Sequence, residues 1–195
     1  MLTNSKDYYW VFDNALSSDT CDKIIKLGLS KKTFLARTHG YDLDKFKTLN
    51  KDQKNNLKKI RNSNVTFLDD KWLIDTLNDF VVKANINSGW KYQIDYSEKI
   101  QFTKYKKNQH YDFHKDSSIN DIDQYKKIRK LSLVVCLSDP KEFKGGDFQF
   151  QFRNNDDPSI ITPAPQLKNK GTIIVFPSFL YHRVTPLIKG TRYSL

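Results

Sequence analysis

Cysteine is nearly absent from this chain: Cys21 and Cys136 are the only two among 195 residues. They could close at most one bridge, which excludes a disulfide scaffold. They also leave no CxxC or Cys-rich zinc pattern, and such sparse use fits a reducing, cytoplasmic setting. Long apolar runs are missing as well. The longest, around Leu131–Leu137 and Ile173–Phe176, fall far short of the ~20 residues a bilayer helix needs, so no membrane span is expected. Residues Met1–Asp7 hold no apolar stretch of the secretory type, and no internal repeat or low-complexity tract is present. What remains is a chain that is 38% hydrophobic and 28% charged, the balance of a soluble globular protein rather than a disordered one. Its length corresponds to one domain, at ~100–200 residues per domain, with room for a core of its own.

Acidic residues are also in short supply, 22 against 33 Lys and Arg, for a net charge of +11. The excess is even along the chain: 12 basic against 7 acidic residues in 1–60, 13 against 10 in 61–130, and 8 against 5 in 131–195. Local concentrations occur at Lys104-Lys106-Lys107 and at Lys126-Lys127-Arg129-Lys130. A nucleic-acid groove needs such clusters gathered on one face. The even spread is read as a solvated surface in preference to a phosphate-binding one.

The character of the chain changes near residue 90. Ser18-Asp19-Thr20 reads as a helix N-cap region ahead of Cys21, Ile24, Ile25, Leu27 and Leu29, with Gly28 and Ser30 loosening the period. Asp69-Asp70 opens a stronger helix, in which Trp72, Leu73, Leu77, Phe80, Val81 and Ala84 recur at three- and four-residue steps until Asn87-Ser88-Gly89. Beyond residue 90 the pattern predicts short strands at 99–105, 109–113, 130–138, 147–152, 171–176, 182–185 and 191–195, punctuated by Gly, Pro, Asn and Asp. The expected fold is α+β: a sandwich or jelly roll with helices stacked outside one sheet. Residues 1–195 form a single domain in this reading, with helical support over 1–90 and the β-rich core over 91–195.

Histidine is scarce too, and three of the four lie in the strand-rich half. In His110-Tyr111-Asp112-Phe113-His114-Lys115-Asp116, period-two alternation puts His110, Asp112, His114 and Asp116 on one face of an extended segment. His114 and Asp116 would then stand two rises apart, ~7 Å, within reach of one ion. A zinc helix using His110 and His114 at i,i+4 is the rival reading, but the Glu that a metalloprotease needs beside the first His is missing. Sixty-six residues after Asp116 comes His182, within Phe176–Pro186, and ten residues later Arg192, within Lys189–Leu195. Two imidazoles and one carboxylate make the facial triad of a non-haem Fe(II) oxygenase, which leaves open positions for oxygen and a chelating cosubstrate.

His114-x-Asp116, the run Arg129–Asp139, Phe143-Lys144-Gly145-Gly146-Asp147-Phe148, and the tail from Pro177 to Ser194 resemble, in order, the prolyl 4-hydroxylase-like branch of the Fe(II)/2-oxoglutarate-dependent dioxygenases. The resemblance runs from about residue 100 to Leu195. It implies a double-stranded β-helix core, iron on His114, Asp116 and His182, and Arg192 holding the distal carboxylate of 2-oxoglutarate. Arg offers a carboxylate two parallel N–H donors, and His182 and Arg192 are expected on adjacent strands, with the cosubstrate bridging them. Tyr105 takes the place of a 2-oxoglutarate-contacting Tyr, the alternative being a packed strand aromatic, and Arg129 that of an Arg near the substrate, the alternative being a solvated basic turn. Cys136 falls where the family lines the cosubstrate pocket; a buried Cys also serves as a small hydrophobe. Gly145-Gly146 is read as a tight strand entry, and His39 and His110 as structural or surface residues. Family members commonly continue past the Arg-Tyr-Ser strand, often with an aromatic that closes the rim, whereas this sequence stops at Leu195. Iron and 2-oxoglutarate binding are expected without that rim.

The implied reaction is oxidative decarboxylation of 2-oxoglutarate to succinate and CO2, coupled to hydroxylation of a C–H bond. The implied cofactors are Fe(II), 2-oxoglutarate as cosubstrate and O2, with ascorbate as a candidate reductant. By resemblance the substrate is a prolyl residue in a peptide or protein. The alternatives are an oxygenase acting on nucleic acid, for which the +11 charge is the only support, one acting on a free amino acid, and a non-catalytic metal-binding jelly roll. Against the last, a structural metal needs no carboxylate clamp at Arg192. The sequence does not specify an oligomeric state.

Overall fold

A computed structural model describes residues 8–36, 48–117, 127–152 and 160–195. Helix α1 (Ser18–Ser30) begins where Ser17, in extended conformation, accepts the Thr20 N–H at 3.2 Å. Its buried stripe is Cys21, Ile24 and Gly28. Gly28 is a packing position: a Cβ there would stand 2.5 Å from the Phe102 ring, so the residue that loosens the helical period lets the helix lie close on a strand. Helix α2 (Lys51–Ile60) was not legible from periodicity. It buries no residue and is held by a capping box between Asn50 and Gln53. Helix α3 (Lys71–Asn87) buries Leu73, Leu77 and Ala84 on one face, as its period predicts.

The helices of the first ninety residues are accompanied by four short strands: β1 (Trp10–Phe12), β2 (Phe34–Leu35), β3 (Arg61–Asn62) and β4 (Asn64–Leu68). The strands after them are β5 (Ile100–Tyr105), β6 (His110–His114), β7 (Leu131–Val135), β8 (Phe143–Gly145), β9 (Phe148–Phe152), β10 (Ile160–Pro163), β11 (Ile173–Pro177), β12 (Tyr181–Val184), β13 (Leu187–Gly190) and β14 (Arg192–Ser194). All pairings are antiparallel. One sheet has the order β10-β9-β12-β6-β3. The orders β1-β11-β7 and β14-β5-β4-β2 are joined into a second, larger sheet, because Val135 and Leu195 exchange backbone hydrogen bonds at 3.1 Å and Leu137 donates to Tyr193 at 3.0 Å. A short β8-β13 pair completes the jelly roll.

Period-two alternation sorts the large sheet's side chains onto two faces. Ile173 and Val175 of β11, Val135 and Leu137 at the end of β7, and Phe102 of β5 face Ile24 of α1 and Leu73 and Leu77 of α3. Their neighbours Ile174, Phe176, Cys136 and Tyr105 meet Phe148, Phe150 and Val184 of the other sheet. Helices outside one sheet of a double-stranded β-helix is thus the observed architecture. Among the described residues, no helix is long and apolar enough to cross a membrane.

Candidate active site

Strand β6 pairs with β12 so that His114 stands opposite His182, while Val184 stands opposite Tyr111, with a bulge between. That bulge breaks the strict alternation the sequence suggested. It turns Tyr111 onto His114, with ring centroids 3.4 Å apart and 11° between planes, and it separates His110 from the site. The His110 ring instead meets the carbonyls of Lys59 at 2.8 Å and Asn108 at 3.2 Å. His39 lies outside the described residues. Just past β6, the Asp116 N–H is fixed on the Ser178 carbonyl at 2.9 Å, which swings its carboxylate between the two imidazoles: Oδ1 is 3.5 Å from His114 Nε2 and Oδ2 is 3.7 Å from His182 Nε2.

The donor atoms of His114, Asp116 and His182 lie within 4.8 Å of one another, a cluster that could hold a metal ion. Each ring is oriented by its own strand: His114 Nδ1 is 2.8 Å from the Asp112 carbonyl, and His182 Nδ1 is 2.9 Å from the Leu180 carbonyl. A carbonyl only accepts, so Nδ1 carries the proton in both rings and the Nε2 lone pairs face inward. The protonation states also suit ligation. Burial pushes His182 down to about 4, against the opposing pull of Asp116. Burial raises the Asp116 carboxyl, but His182, His114 and the Ser132 hydroxyl outweigh it and hold the group well below the usual carboxylate range. Neutral imidazole and ionised carboxylate are the forms that bind metal.

Outer contacts that sequence reading did not anticipate hold this set. Ser132 Oγ donates to Asp116 Oδ2 at 2.6 Å and lies 2.9 Å from Ser178 Oγ. Its signal was present: a hydroxyl inside the apolar run of β7. His182, 4% exposed, is walled by Phe148 and Phe176 at centroid distances of 5.5 and 4.7 Å. Arg61, also unanticipated, lies over the Tyr111 ring at 4.2 Å.

Arg192 is 1% exposed, and its Nε, Nη1 and Nη2 are all buried with no hydrogen-bond partner among the described residues. An unpaired buried guanidinium is among the costliest arrangements in a protein interior, and an anion is the kind of group that would offset that cost. Gly146 makes its room: at φ +64, a Cβ there would come 3.1 Å from Arg192 Cδ. Tyr105 stands opposite Arg192 in the β5-β14 pair, with the guanidinium carbon 5.8 Å from its ring centre. Burial pushes the Tyr105 phenol up, with Arg61 and Arg192 opposing, so it remains a neutral donor. Cys136 is buried beside the same arginine, its thiol raised by burial and lowered in part by Arg192.

One expectation is corrected here. His182 and Arg192 are not on adjacent strands: β12 belongs to the smaller sheet and β14 to the larger. Strand β13 intervenes, and Gly190, at φ +84, lets the chain pass where a Cβ would stand 1.9 Å from the Glu142 carbonyl. The triad and the guanidinium therefore sit on opposite sheets around one interior. Arg129 lies at the rim. It pairs with Glu98, and its Nη1 donates to the Asp116 carbonyl at 3.2 Å.

Residues 100–195 match the family described as the 2OG-Fe(II) oxygenase superfamily. A PKHD-type hydroxylase of Pseudoalteromonas atlantica is 30% identical over 95 residues, covering 47% of this chain and 38% of that protein. The chain thus spans about two fifths of that relative's length. Among solved structures, the viral collagen prolyl hydroxylase of Paramecium Bursaria Chlorella virus-1, as its 2OG complex, aligns with TM-score 0.61 at 22% identity over 96% of this chain and 92% of that one. A Trichoplax adhaerens prolyl hydroxylase, in complex with a hypoxia inducible factor peptide fragment, aligns with TM-score 0.67 at 16% identity over 96% and 81%. At these identities the structural likeness concerns the fold.

Proposed function

We propose, from the premise that residues 100–195 are a prolyl-hydroxylase-like domain of the 2OG-Fe(II) oxygenase superfamily, that the chain hydroxylates a prolyl residue in a peptide or protein. The observation that carries this reading is Arg192, a fully buried guanidinium with three unpaired nitrogens in the interior that the His114-Asp116-His182 cluster also faces. A metal site of purely structural use leaves such a cation without a purpose. A dicarboxylate that chelates a metal at one end and presents a carboxylate at the other supports both features.

In this reading His114, Asp116 and His182 hold Fe(II), and the residues present fit it: two inward lone pairs and one ionised carboxylate. When bound, the iron supplies activation of O2 coupled to oxidative decarboxylation of 2-oxoglutarate, with succinate and CO2 as products. The protein supplies the rest. Arg192 grips the distal carboxylate through paired N–H donors, with the Tyr105 hydroxyl beside it as a neutral donor. Ser132 and the Ser178 backbone keep the Asp116 carboxylate aimed. Carbonyls of Asp112 and Leu180 lock the imidazole tautomers. Phe148, Phe176 and Tyr111 exclude water from around the two rings.

The test is a succinate-formation assay with Fe(II), 2-oxoglutarate and a panel of proline peptides, oligonucleotides and free amino acids, with mass spectrometry of the panel. The expected result is a gain of one oxygen on a proline peptide. Turnover on an oligonucleotide or amino acid, with silence on every proline peptide, would overturn the reading.

A further inference from the structure

The triad opens onto a cleft of about 1310 Å³ that continues well beyond it, toward α3 and the extended segment 91–99. Asn85 starts that segment by imitating a strand partner: it accepts the Tyr92 N–H at 3.0 Å and donates to the Tyr92 carbonyl at 2.9 Å. Two ion pairs, Asp95 with Lys127 and Glu98 with Arg129, tie the segment to residues 127–130. Arg129 in turn reaches the Asp116 carbonyl, so one wall of the cleft is bonded directly to the proposed iron site.

Charge on the cleft is one-sided. Among the described residues, seven Lys and Arg side chains line it against three acids. Of those acids, Asp116 is the proposed ligand, and Asp95 and Glu98 are already paired. Lys91, Lys115 and Lys130 are exposed and take part in no ion pair among the described residues. Lys115 lies between two ligands, its ammonium 4.7 Å over the Tyr181 ring, and the Lys130 carbonyl holds the Ser178 N–H at 2.9 Å. Both residues line the cleft that the triad also lines. Apolar surface from Phe67 and Ile94, each more than two fifths exposed, completes the lining.

We infer that this cleft binds an extended peptide with Asp or Glu beside the reacting proline, the acids being received by Lys115, Lys130 and Lys91. The inference rests on the hydroxylase reading above and names the substrate class it lacked. An acidic peptide fits better than a nucleic acid. The paired Asp95–Lys127 and Glu98–Arg129 leave a neutralised stretch between the separated cations Lys91, Lys115 and Lys130, which a continuous run of phosphates cannot match but a peptide that alternates charged and neutral residues can. The extended segment itself, with no backbone-to-backbone hydrogen bond at residues 93–95 and 97–99 among the described residues and its Glu98 carbonyl taken by the Ser97 hydroxyl at 3.1 Å, offers main-chain groups at 93–95 to a strand laid along it.

The experiment titrates the full chain, loaded with Fe(II) and 2-oxoglutarate without oxygen, against fluorescein-labelled peptides of equal length. They carry one proline flanked by Glu, Gln or Lys, and a dT12 oligonucleotide serves as the fourth probe. Anisotropy should show the Glu peptide binding about tenfold more tightly than the Gln peptide, the product of two rim pairs of roughly threefold each, with the Lys peptide weakest. In K91E/K130E the order of Glu and Lys peptides should reverse, which loss of structure cannot produce. The single variants serve if the double variant fails to fold by circular dichroism. Equal affinities for all three peptides, an order unchanged by the variants, or tighter binding of dT12 than of the Glu peptide would overturn the inference. Succinate formation without peptide is followed in parallel. Its absence alongside the charge order sinks the catalytic reading alone, and its presence without the order sinks the cleft inference alone.

Discussion

The two faces of the large sheet are made by the same strands and differ in almost everything else. Toward the helices, Phe102, Val135, Leu137, Ile173 and Val175 meet Ile24, Leu73 and Leu77 in a wholly apolar layer. Toward the smaller sheet, residues of opposite alternation meet the site: Tyr105 of β5, Cys136 just past β7 and Arg192 of β14, across from Phe148 and His182. Each outer residue contributes burial of apolar area, at ~25 cal/mol per Å². The inner face includes a buried cation without a hydrogen-bond partner among the described residues and looks across at a buried imidazole of the smaller sheet, both of which cost stability in the ligand-free protein. A sheet buried on both faces can divide these tasks because alternation makes them sterically independent.

That division is most sharply tested at the triad. His182→Ala should reduce turnover to background and abolish stoichiometric iron binding while the far-ultraviolet circular dichroism of the fold persists; iron retained at full occupancy would break the assignment. Next in size is Arg192→Met. Loss of a charge-assisted carboxylate contact of ~1.5–3 kcal/mol should raise KM for 2-oxoglutarate about 10- to 150-fold, with Lys restoring only part. The same change should raise the melting temperature of the ligand-free protein, because it removes an unpaired buried charge of similar volume. A lower melting temperature with unchanged KM would reverse the roles of the two faces. On the outer face, Leu73→Ala should cost ~2–5 kcal/mol in denaturant unfolding and leave KM alone. A KM shift there would show that the layers are coupled.

The smallest effect concerns pH in the metal-free protein. His182 titrates near 4 in the folded state against an ordinary 6.5, so below pH 6.5 the unfolded chain binds the extra proton first. Stability should be level above 6.5, fall as pH drops from 6.5 to 4, and fall further below 3.8, where the depressed Asp116 adds a loss of the same sign. Thermal melts across that range check it, and His182→Asn should flatten the upper part of the curve.

Legibility in the sequence followed the same division. Strands β5, β6, β7, β9, β11, β12 and β14 were readable within a few residues at their ends because each alternates or runs apolar between turn residues. The spacing His114-x-Asp116 with a distant His182 survived into geometry. Helix α2 was not readable, since a helix that buries nothing has no period to detect. Strands β3 and β4 were missed because Asn64–Leu68 buries Val65, Thr66 and Leu68 but exposes Phe67, an order that defeats simple alternation. Arg192 was readable as a candidate clamp by resemblance, yet its burial without a partner is a fact of three dimensions. The opposite-sheet placement of Arg192 and His182 was hidden by β13, whose four residues carry little pattern of their own.

The bulged pairing of β6 with β12 has a consequence for how the chain folds. His114 and His182 are partners in one ladder although 68 residues separate them, and pairing at that range must wait until a long loop has closed. Local helices such as α1 and α3, and the β9-β10 pair, form without it. On the proposed assignment, competence to bind iron would arise only once the smaller sheet has zipped shut, and the appearance of metal binding during refolding would be a clock for that closure, running later than the recovery of helical signal.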